Sequence, residues 1–568
     1  MTVNYGAFLV RIFGYSVAAF LIAYILLAGL PAWLLLWPPV IAVAGHVFAL
    51  GRETRYQALY NAHWASQKEI QPLKSHFPLK NGVMLGFAYG HVFGIAPGTF
   101  GQRELGHVLV CGPSRSGKGL HLTSNLLSWE HSAVVVDIKG ELFRLTAARR
   151  AAMGQRIIVL NPTGKGHRYD PFRELATDEA IRSVATMILD PDADGSNAAF
   201  GRRGTFALVA AIKAALILEQ PVLPFIRRVT AQGLEGFCKE LWRVDNPVVR
   251  ESLVDFLRED PLKFDWDSVA GNKYLDNTWT GMLTKLQPLF SEGILRMTGA
   301  SDFRALDLVS SPTTVYLVFM ESELEYTGTA FRTLLLAMIN TLIRHFDLNP
   351  DAQTLPLLFG FDEAGRLSIP KLDDLVSTVA GRGMVAMIYV QSIAQLEGAY
   401  GEAGKTTILD NTHTKVFYRP KDSETAEYVS GKCGQLMAED LRNSDGTDGK
   451  VQQSVGVRPR ELITADELQQ WPAERCVVVT ELPPVAAHRL APWMLPGGAA
   501  ALKMPPPELP TFPFDPKAAQ LPSQLLKTQV SAPDDERVEL SRQGTDEGAP
   551  EHTSSLLEPS DEQLLELD

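Results

Sequence analysis

The chain has 568 residues, 46% hydrophobic and 21% charged, which is too long for one core and suits two or three folded units with appendages. Its formal net charge of −12 is concentrated at one end, where residues 501–568 carry five Lys/Arg against fourteen Asp/Glu. The rest is nearly neutral, which argues against a uniformly basic nucleic-acid surface and leaves room for a local basic channel. Cys111, Cys238, Cys433 and Cys476 lie far apart without metal-ligand spacing, so reduced thiols are expected rather than zinc or a disulfide framework.

Residues 12–30 are apolar and uncharged, close to the length of a bilayer-crossing helix. A second apolar stretch, 33–50, is interrupted by Pro38, Pro39 and His46. Two spans joined by a short turn around 29–31 are expected. Arg11 before them and Arg52 and Arg55 after them place both ends in the cytoplasm by the positive-inside bias. A polar linker helix over 53–79 follows, then short strands and turns in the glycine-rich stretch 81–100.

An alternation comes next: strand 107–111, glycine loop, helix 120–129, strand 133–136 ending in Asp137, helix 142–153, strand 157–160. This is the pattern of a parallel sheet covered on both faces. From about 173 to 306 the strand signal disappears, and helical stretches are read at 178–189, 200–219, 230–242, 246–257 and 275–290. Strands return at 313–319, 355–361, 385–390, 415–418 and 476–480. Beyond Pro496 the chain is rich in Pro, Ser and acids, the composition of a disordered tail. The expected organisation is a transmembrane hairpin (1–52), a linker helix (53–79), an α/β nucleotide-binding domain in two parts (80–172 and 307–496), an inserted all-α domain (173–306) and an acidic tail (497–568).

Gly112-Pro113-Ser114-Arg115-Ser116-Gly117-Lys118 fits the G-x-x-x-x-G-K phosphate-binding loop between a strand and a helix. Its backbone N–H groups, with those of Gly119 and Leu120 at the helix start, wrap a phosphate, and Lys118 reaches the β- and γ-phosphates of a nucleotide. The usual hydroxyl ligand for Mg²⁺ is absent, since Gly119 follows the lysine. The metal must then be held by water, phosphate and carboxylate oxygens. A second element is the apolar run from Leu357 to Phe361 ending in Asp362 and Glu363. Asp362 suits support of Mg²⁺ through its water shell and Glu363 the activation of the attacking water; the bland alternative is a pair of helix-capping acids. Gly404-Lys405-Thr406 looks like the end of a second loop, but the required glycine is replaced by Ala399 and 393–400 reads as helix, so it is rejected.

With these blocks assembled, the chain resembles the type IV secretion coupling proteins, the TraG/TraD-like ATPases of conjugation systems. The resemblance runs from about Tyr5 to Pro496. It rests on the loop ending Gly117-Lys118-Gly119, then Val136-Asp137-Ile138-Lys139-Gly140-Glu141-Leu142, the Asp362-Glu363 strand end, Gly381-Arg382-Gly383, Gln391-Ser392-Ile393-Ala394-Gln395-Leu396, Tyr400-Gly401 and Thr425-Ala426-Glu427-Tyr428-Val429-Ser430. It implies a RecA-like P-loop NTPase using ATP and Mg²⁺, an inserted all-α domain, a two-span anchor in the bacterial inner membrane with the body in the cytoplasm, and a homo-hexamer. Gln391 is then the sensor of the γ-phosphate, Arg382 an arginine acting on a neighbour's site, and Asp137 and Glu141 organisers of the loop beside the phosphates. Implied partners are relaxase-bound DNA or protein substrates and the channel proteins. Many members carry a longer periplasmic segment between the spans than this chain does. The rival readings are a septal-type duplex DNA translocase and a non-catalytic membrane adaptor with a decayed P-loop.

Overall fold

The computed structural model describes residues 60–74, 81–100, 105–189, 198–369, 371–445 and 451–512. The two expected spans and most of the acidic tail lie outside them. Among the described residues no helix is long and apolar enough to cross a membrane.

The frame is an eleven-stranded sheet, built in the spatial order β2-β1-β13-β12-β9-β3-β8-β7-β4-β6-β5. The first strands are β1 (Val83–Ala88), β2 (His91–Ile95), β3 (Val108–Cys111), β4 (Ser132–Asp137) and β5 (Arg156–Leu160). They are followed by β6 (Thr313–Val318), β7 (Leu357–Phe361), β8 (Met384–Val390) and β9 (Thr414–Tyr418). From β9 through to β5 every pairing is parallel. β12 (Arg475–Val479) and β13 (Val485–His488) extend the sheet antiparallel and connect it to β1 and β2. The central strands are buried at every position, as parallel strands covered on both faces must be. Such strands read as continuous apolar runs, which is why they were legible in the sequence.

Between β5 and β6 the described residues form helices and no strand: Asp178–Leu189, Ala198–Ile217, Val222–Thr230, Gly233–Trp242, Pro247–Leu257, Lys273–Leu286 and Glu292–Met297. The two long helices predicted at 230–242 and 275–290 are shorter than expected. Helix Val222–Thr230 ends just before Gly233, whose φ is 77°, and Pro288 turns the end of the second into the 3-10 helix Gln287–Phe290. Asn246 starts Pro247–Leu257 by accepting from the N–H groups of Val248 and Val249 at 3.0 and 3.2 Å, an N-cap followed by proline at the first helical position. Asp170 is fully buried and accepts from Phe172 N–H and Val222 N–H at 3.2 and 3.0 Å, fixing where the helices leave the sheet. A 25-residue helix, Leu324–Leu348, packs against Asp178–Leu189 and ties the helical stretch to the sheet.

Two expectations need correction. The linker read as helix over 53–79 holds, across 60–74, only the 3-10 turn Gln71–Leu73. There Ala62 and Ala65 donate backbone hydrogen bonds to Gln435 and Pro484, and Ala65, Ile70 and Leu73 are buried, so tertiary burial overrides helical propensity. The tail predicted to be disordered from 497 is ordered as far as Phe512, which is 8% exposed, with Gly166 N–H bonded to Pro510 O at 2.8 Å. A hairpin of β10 (Gln435–Asp445) and β11 (Val451–Glu461), absent from the sequence reading, forms a separate two-stranded sheet. All four cysteines are buried and unpaired.

Candidate nucleotide site

β3 runs into the loop 112–117, and the helix Lys118–Ser128 leaves it. Gly112 N–H bonds Val390 O of β8 at 3.1 Å, and a Cβ at Gly112 would stand 2.7 Å from the Tyr418 Cβ, so no larger residue fits this close approach. Arg115 and Gly117 have φ of 65° and 108°. Alternating backbone conformations of this kind turn successive N–H groups inward into an anion-binding concavity. The left-handed Arg115 is a strained position of the sort that clusters at functional sites. Lys118 is 5% exposed and donates to the carbonyl of Gly112. Burial pushes its ammonium below its ordinary value, opposed by the nearby charge of Glu363 and, more weakly, Asp362.

A cavity of about 450 Å³ opens on this loop. Pro113, Ser114, Arg115, Gly117, Lys118, Gly119 and Leu120 line it from one side, while Gly112 and Ser116 sit behind the lining. Asp362 and Glu363 face it from the end of β7, and Asp137 from the end of β4. Burial, then the like charges of Glu363 and Asp137, pushes the Asp362 carboxyl up to about 7 against the pull of Lys118 and Lys139. A carboxyl held that high by burial and then by neighbouring acids is a place where a divalent cation would be favourable, so these oxygen donors fit Mg²⁺ held through water. Asp137 is buried and accepts the Phe143 N–H at 2.8 Å. Burial raises its carboxyl, against the backbone N–H groups of Phe143, Leu142, Lys139 and Gly140, so it braces the turn that also presents Lys139 and Glu141 to the cavity.

Glu363 does not make the capping contact that the alternative reading of the acid pair would give its side chain. Its φ is 57°, and although it stands at the N-cap of the short helix Ala364–Leu367 its side chain caps nothing. Its Oε2 instead accepts the Gln391 Nε2–H at 2.9 Å. Gln391 follows β8, which lies between β3 and β7. Two interstrand spacings, about 9.6 Å, thus separate the loop strand from the acid strand, and Gln391 follows the strand between them.

Arg382 is not brought to this cavity. It precedes β8 at the N-terminal end of that central strand, roughly 20 Å from the loop end by strand rise, and pairs with Asp347 at 2.6 Å. The rejected Gly404-Lys405-Thr406 lies inside the helix Ile393–Asn411, with Lys405 ion-paired to Glu397, Glu402 and Glu424. Two cavity cations escaped prediction as phosphate-side groups: Lys139, visible in the sequence beside Asp137, and Arg489, just after β13. Nothing local marks Arg489, because only the fold brings it to the loop.

A family model described as "Type IV secretory system Conjugative DNA transfer" matches residues 63–498. Among curated proteins, the chain is 28% identical to Protein VirD4 of Rhizobium radiobacter over 398 residues, 66% of this chain and 54% of that protein. It is 27% identical to the Conjugal transfer protein TraG of Escherichia coli over 478 residues, 73% of this chain and 71% of that one. The match spans about half the length of the VirD4 relatives. Among solved structures, the unbound monoclinic form of the bacterial conjugative coupling protein TrwBdeltaN70 superposes with a TM-score of 0.53 at 17% identity, covering 75% of this chain and 92% of that one. A structure described as plasmid coupling protein TrwB in complex with ADP and Mg²⁺ gives 0.50 at 16% identity, over 75% of this chain and 93% of that one. At these identities the likeness shows a shared α/β fold.

Proposed function

We propose, from the premise that the chain belongs to the type IV secretory system conjugative DNA-transfer family, that it is a membrane-anchored coupling ATPase. It binds ATP with Mg²⁺ in the Lys118 cavity and uses hydrolysis to drive relaxase-bound DNA or protein substrates into a type IV secretion channel. The observation that carries the catalytic part is the Gln391–Glu363 hydrogen bond beside Lys118: a decayed loop has no reason to keep a strained carboxylate aimed across it and held there by an amide.

In this reading the loop N–H groups and Lys118 hold the β- and γ-phosphates. Asp362 and Asp137 would hold Mg²⁺ through its water shell, and the ion would supply charge neutralisation for the transferred phosphoryl group. Glu363 takes the proton of the attacking water, and Gln391 keeps that carboxylate in place. Arg382 serves the site of a neighbouring subunit in a homo-hexamer. Its position at the N-terminal end of β8, opposite the end that carries its own cavity, supports that direction of action. The apolar stretches before residue 52 anchor the chain in the inner membrane with the body in the cytoplasm. The family's description as conjugative DNA transfer and the name of the conjugal transfer protein TraG support the substrate class, and the ADP and Mg²⁺ described with TrwB support the cofactor class.

The test is phosphate release from ATP by the full-length chain, with and without single- or double-stranded DNA. Hydrolysis should require Mg²⁺, rise with DNA and vanish in Lys118→Ala. Undiminished turnover in Lys118→Ala sinks the site, and indifference to both forms of DNA moves the reading to protein substrates.

A further inference from the structure

Arg489 is the one cavity-lining cation that comes from the antiparallel end of the sheet. Its backbone is held tightly. His488 is in register with Phe87 of β1 and Arg475 of β12, the Arg489 N–H bonds Glu474 O at 2.8 Å, and Leu490 is fully buried against Met84 and Leu495. From this fixed point the side chain lies over the phosphate loop. A Cβ added at Gly117 would stand 3.2 Å from Arg489 Cδ and 3.9 Å from Nη1. Gly117 is needed for its φ of 108°, and the arginine side chain packs over it.

The guanidinium has no structural employment. Among the described residues it makes no ion pair and no side-chain hydrogen bond, although Asp137, Asp362 and Glu363 line the same cavity. The Tyr418 hydroxyl, close enough to feel the arginine's charge, is buried without a hydrogen-bond partner. A structural arginine satisfies its donors with carbonyls or carboxylates, as buried Arg150 does with five partners. Arg489 instead keeps a planar fork of donors free beside Lys118, the arrangement suited to bidentate recognition of phosphate oxygens.

We propose that Arg489 is a phosphate-binding residue of the chain's own nucleotide site, donating to the polyphosphate of the bound nucleoside di- or triphosphate. This rests on the reading that the cavity takes a nucleotide. It adds a consequence: the ligand bridges the loop on β3 to the end of β13, two pieces of sheet separated by β9 and β12, so occupancy should tighten the antiparallel edge as well as the loop.

The test compares wild type, Arg489→Ala, Arg489→Lys and Lys118→Ala as full-length chains, titrated with adenosine, ADP and ATP in Mg²⁺. Hydrogen exchange of β12 and β13 is read with and without ADP. Loss of a charge-assisted hydrogen bond predicts roughly ten- to hundredfold weaker ADP and ATP binding in Arg489→Ala, and adenosine binding that does not change. Arg489→Lys should fall between, since it keeps the charge without the fork. ADP should protect β12 and β13 in wild type and not in Arg489→Ala. If Arg489→Ala is poorly folded, Arg489→Lys carries the comparison, and wild-type ADP affinity in that folded variant together with full protection of β13 overturns the proposal. Equal losses for adenosine and ADP make Arg489 a structural residue and also overturn it. If Lys118→Ala loses ADP while Arg489→Ala binds as wild type, only the Arg489 proposal falls. If wild type binds no nucleotide, the ATPase reading falls and this proposal with it.

Discussion

Gln391 offers a direct test of how the acid at the end of β7 is positioned. Its Nε2–H donates to Glu363 Oε2 at 2.9 Å, its own N–H is held by Gln395 Oε1 at 2.8 Å, and it does not line the cavity. Gln391→Ala removes one hydrogen bond to a charged group, about 1.5–3 kcal/mol of interaction. If that energy orients the Glu363 carboxylate only when water attacks, the loss falls on turnover: kcat should drop roughly tenfold to hundredfold at about 1.4 kcal/mol per tenfold. The drop is partial, because the Glu363 backbone keeps its left-handed conformation whatever follows β8. Glu363→Gln, which removes the base itself, should lose essentially all turnover. Nucleotide affinity should stay within a small factor of wild type in both. Steady-state phosphate release and a separate ADP titration distinguish these effects. A Gln391→Ala chain that hydrolyses at the wild-type rate, or that loses affinity and keeps kcat, refutes the positioning role.

Three further outcomes follow from the same geometry. The Asp362 carboxyl, raised to about 7, keeps its proton in the folded chain after the unfolded chain has lost it near pH 4. Stability of the nucleotide-free protein should therefore fall as pH rises from about 4 to about 7 and level off above. Asp362→Asn should flatten that slope and raise the melting temperature at pH 8, and ADP with Mg²⁺ at pH 6 should bind with proton release, read as buffer-dependent heat. Arg150 is fully buried and donates to Leu126 O, Trp129 O, His131 O, Gln155 Oε1 and Thr314 Oγ1 at 2.6–3.0 Å. Arg150→Met strands these acceptors and should cost about 3 kcal/mol in denaturant unfolding. Arg382→Ala breaks a pair with an exposed acid and should cost less than about 1 kcal/mol. It should nevertheless abolish hydrolysis, and mixing it with Lys118→Ala should restore part of the activity, because a site then combines one subunit's Lys118 with its neighbour's Arg382. Full hydrolysis by Arg382→Ala alone would end that role.

The parallel half of the sheet was legible because its strands are mostly apolar runs, and four of them lead to the candidate site: β3 runs into the loop at Gly112, β4 ends in Asp137, and β7 and β8 are followed by Asp362 and Gln391. Their adjacency was not legible. Strand order depends on crossings, and β8 stands between β3 and β7 although the chain visits it after both. The position of Arg382 could have been read from strand polarity, since it precedes β8 where Gln391 follows it. β13 is only Val485-Ala486-Ala487-His488 and acquires meaning from its pairing with β1 and β12, so Arg489 had no local signal. The hairpin of β10 and β11 is polar along most of its length and shows no alternation that a core would impose. The helix Leu324–Leu348 begins at Glu323 without a capping side chain, leaving its start unmarked.

Gly119 is where the loop departs most from the common phosphate-binding pattern, and its surroundings say what kind of departure it is. A Cβ at Gly119 meets nothing within 4 Å, and the residue lies exposed in the first turn of Lys118–Ser128 without a positive φ. Neither space nor backbone conformation demands glycine here, unlike Gly112 and Gly117. The chain therefore does without a hydroxyl that it has room for, and in the proposed reading the carboxylates at the ends of β7 and β4 would hold the cation together with water and phosphate oxygens. Gly119→Ser should fold, with a gain of up to about 1 kcal/mol from replacing glycine within a helix. The added oxygen should lower the Mg²⁺ concentration needed for half-maximal hydrolysis while kcat stays near wild type. A Gly119→Ser chain that folds normally and loses nucleotide binding would show the opposite: that the open face is occupied in the working complex, by the nucleotide itself or by an adjoining subunit, and that the glycine is kept for that approach.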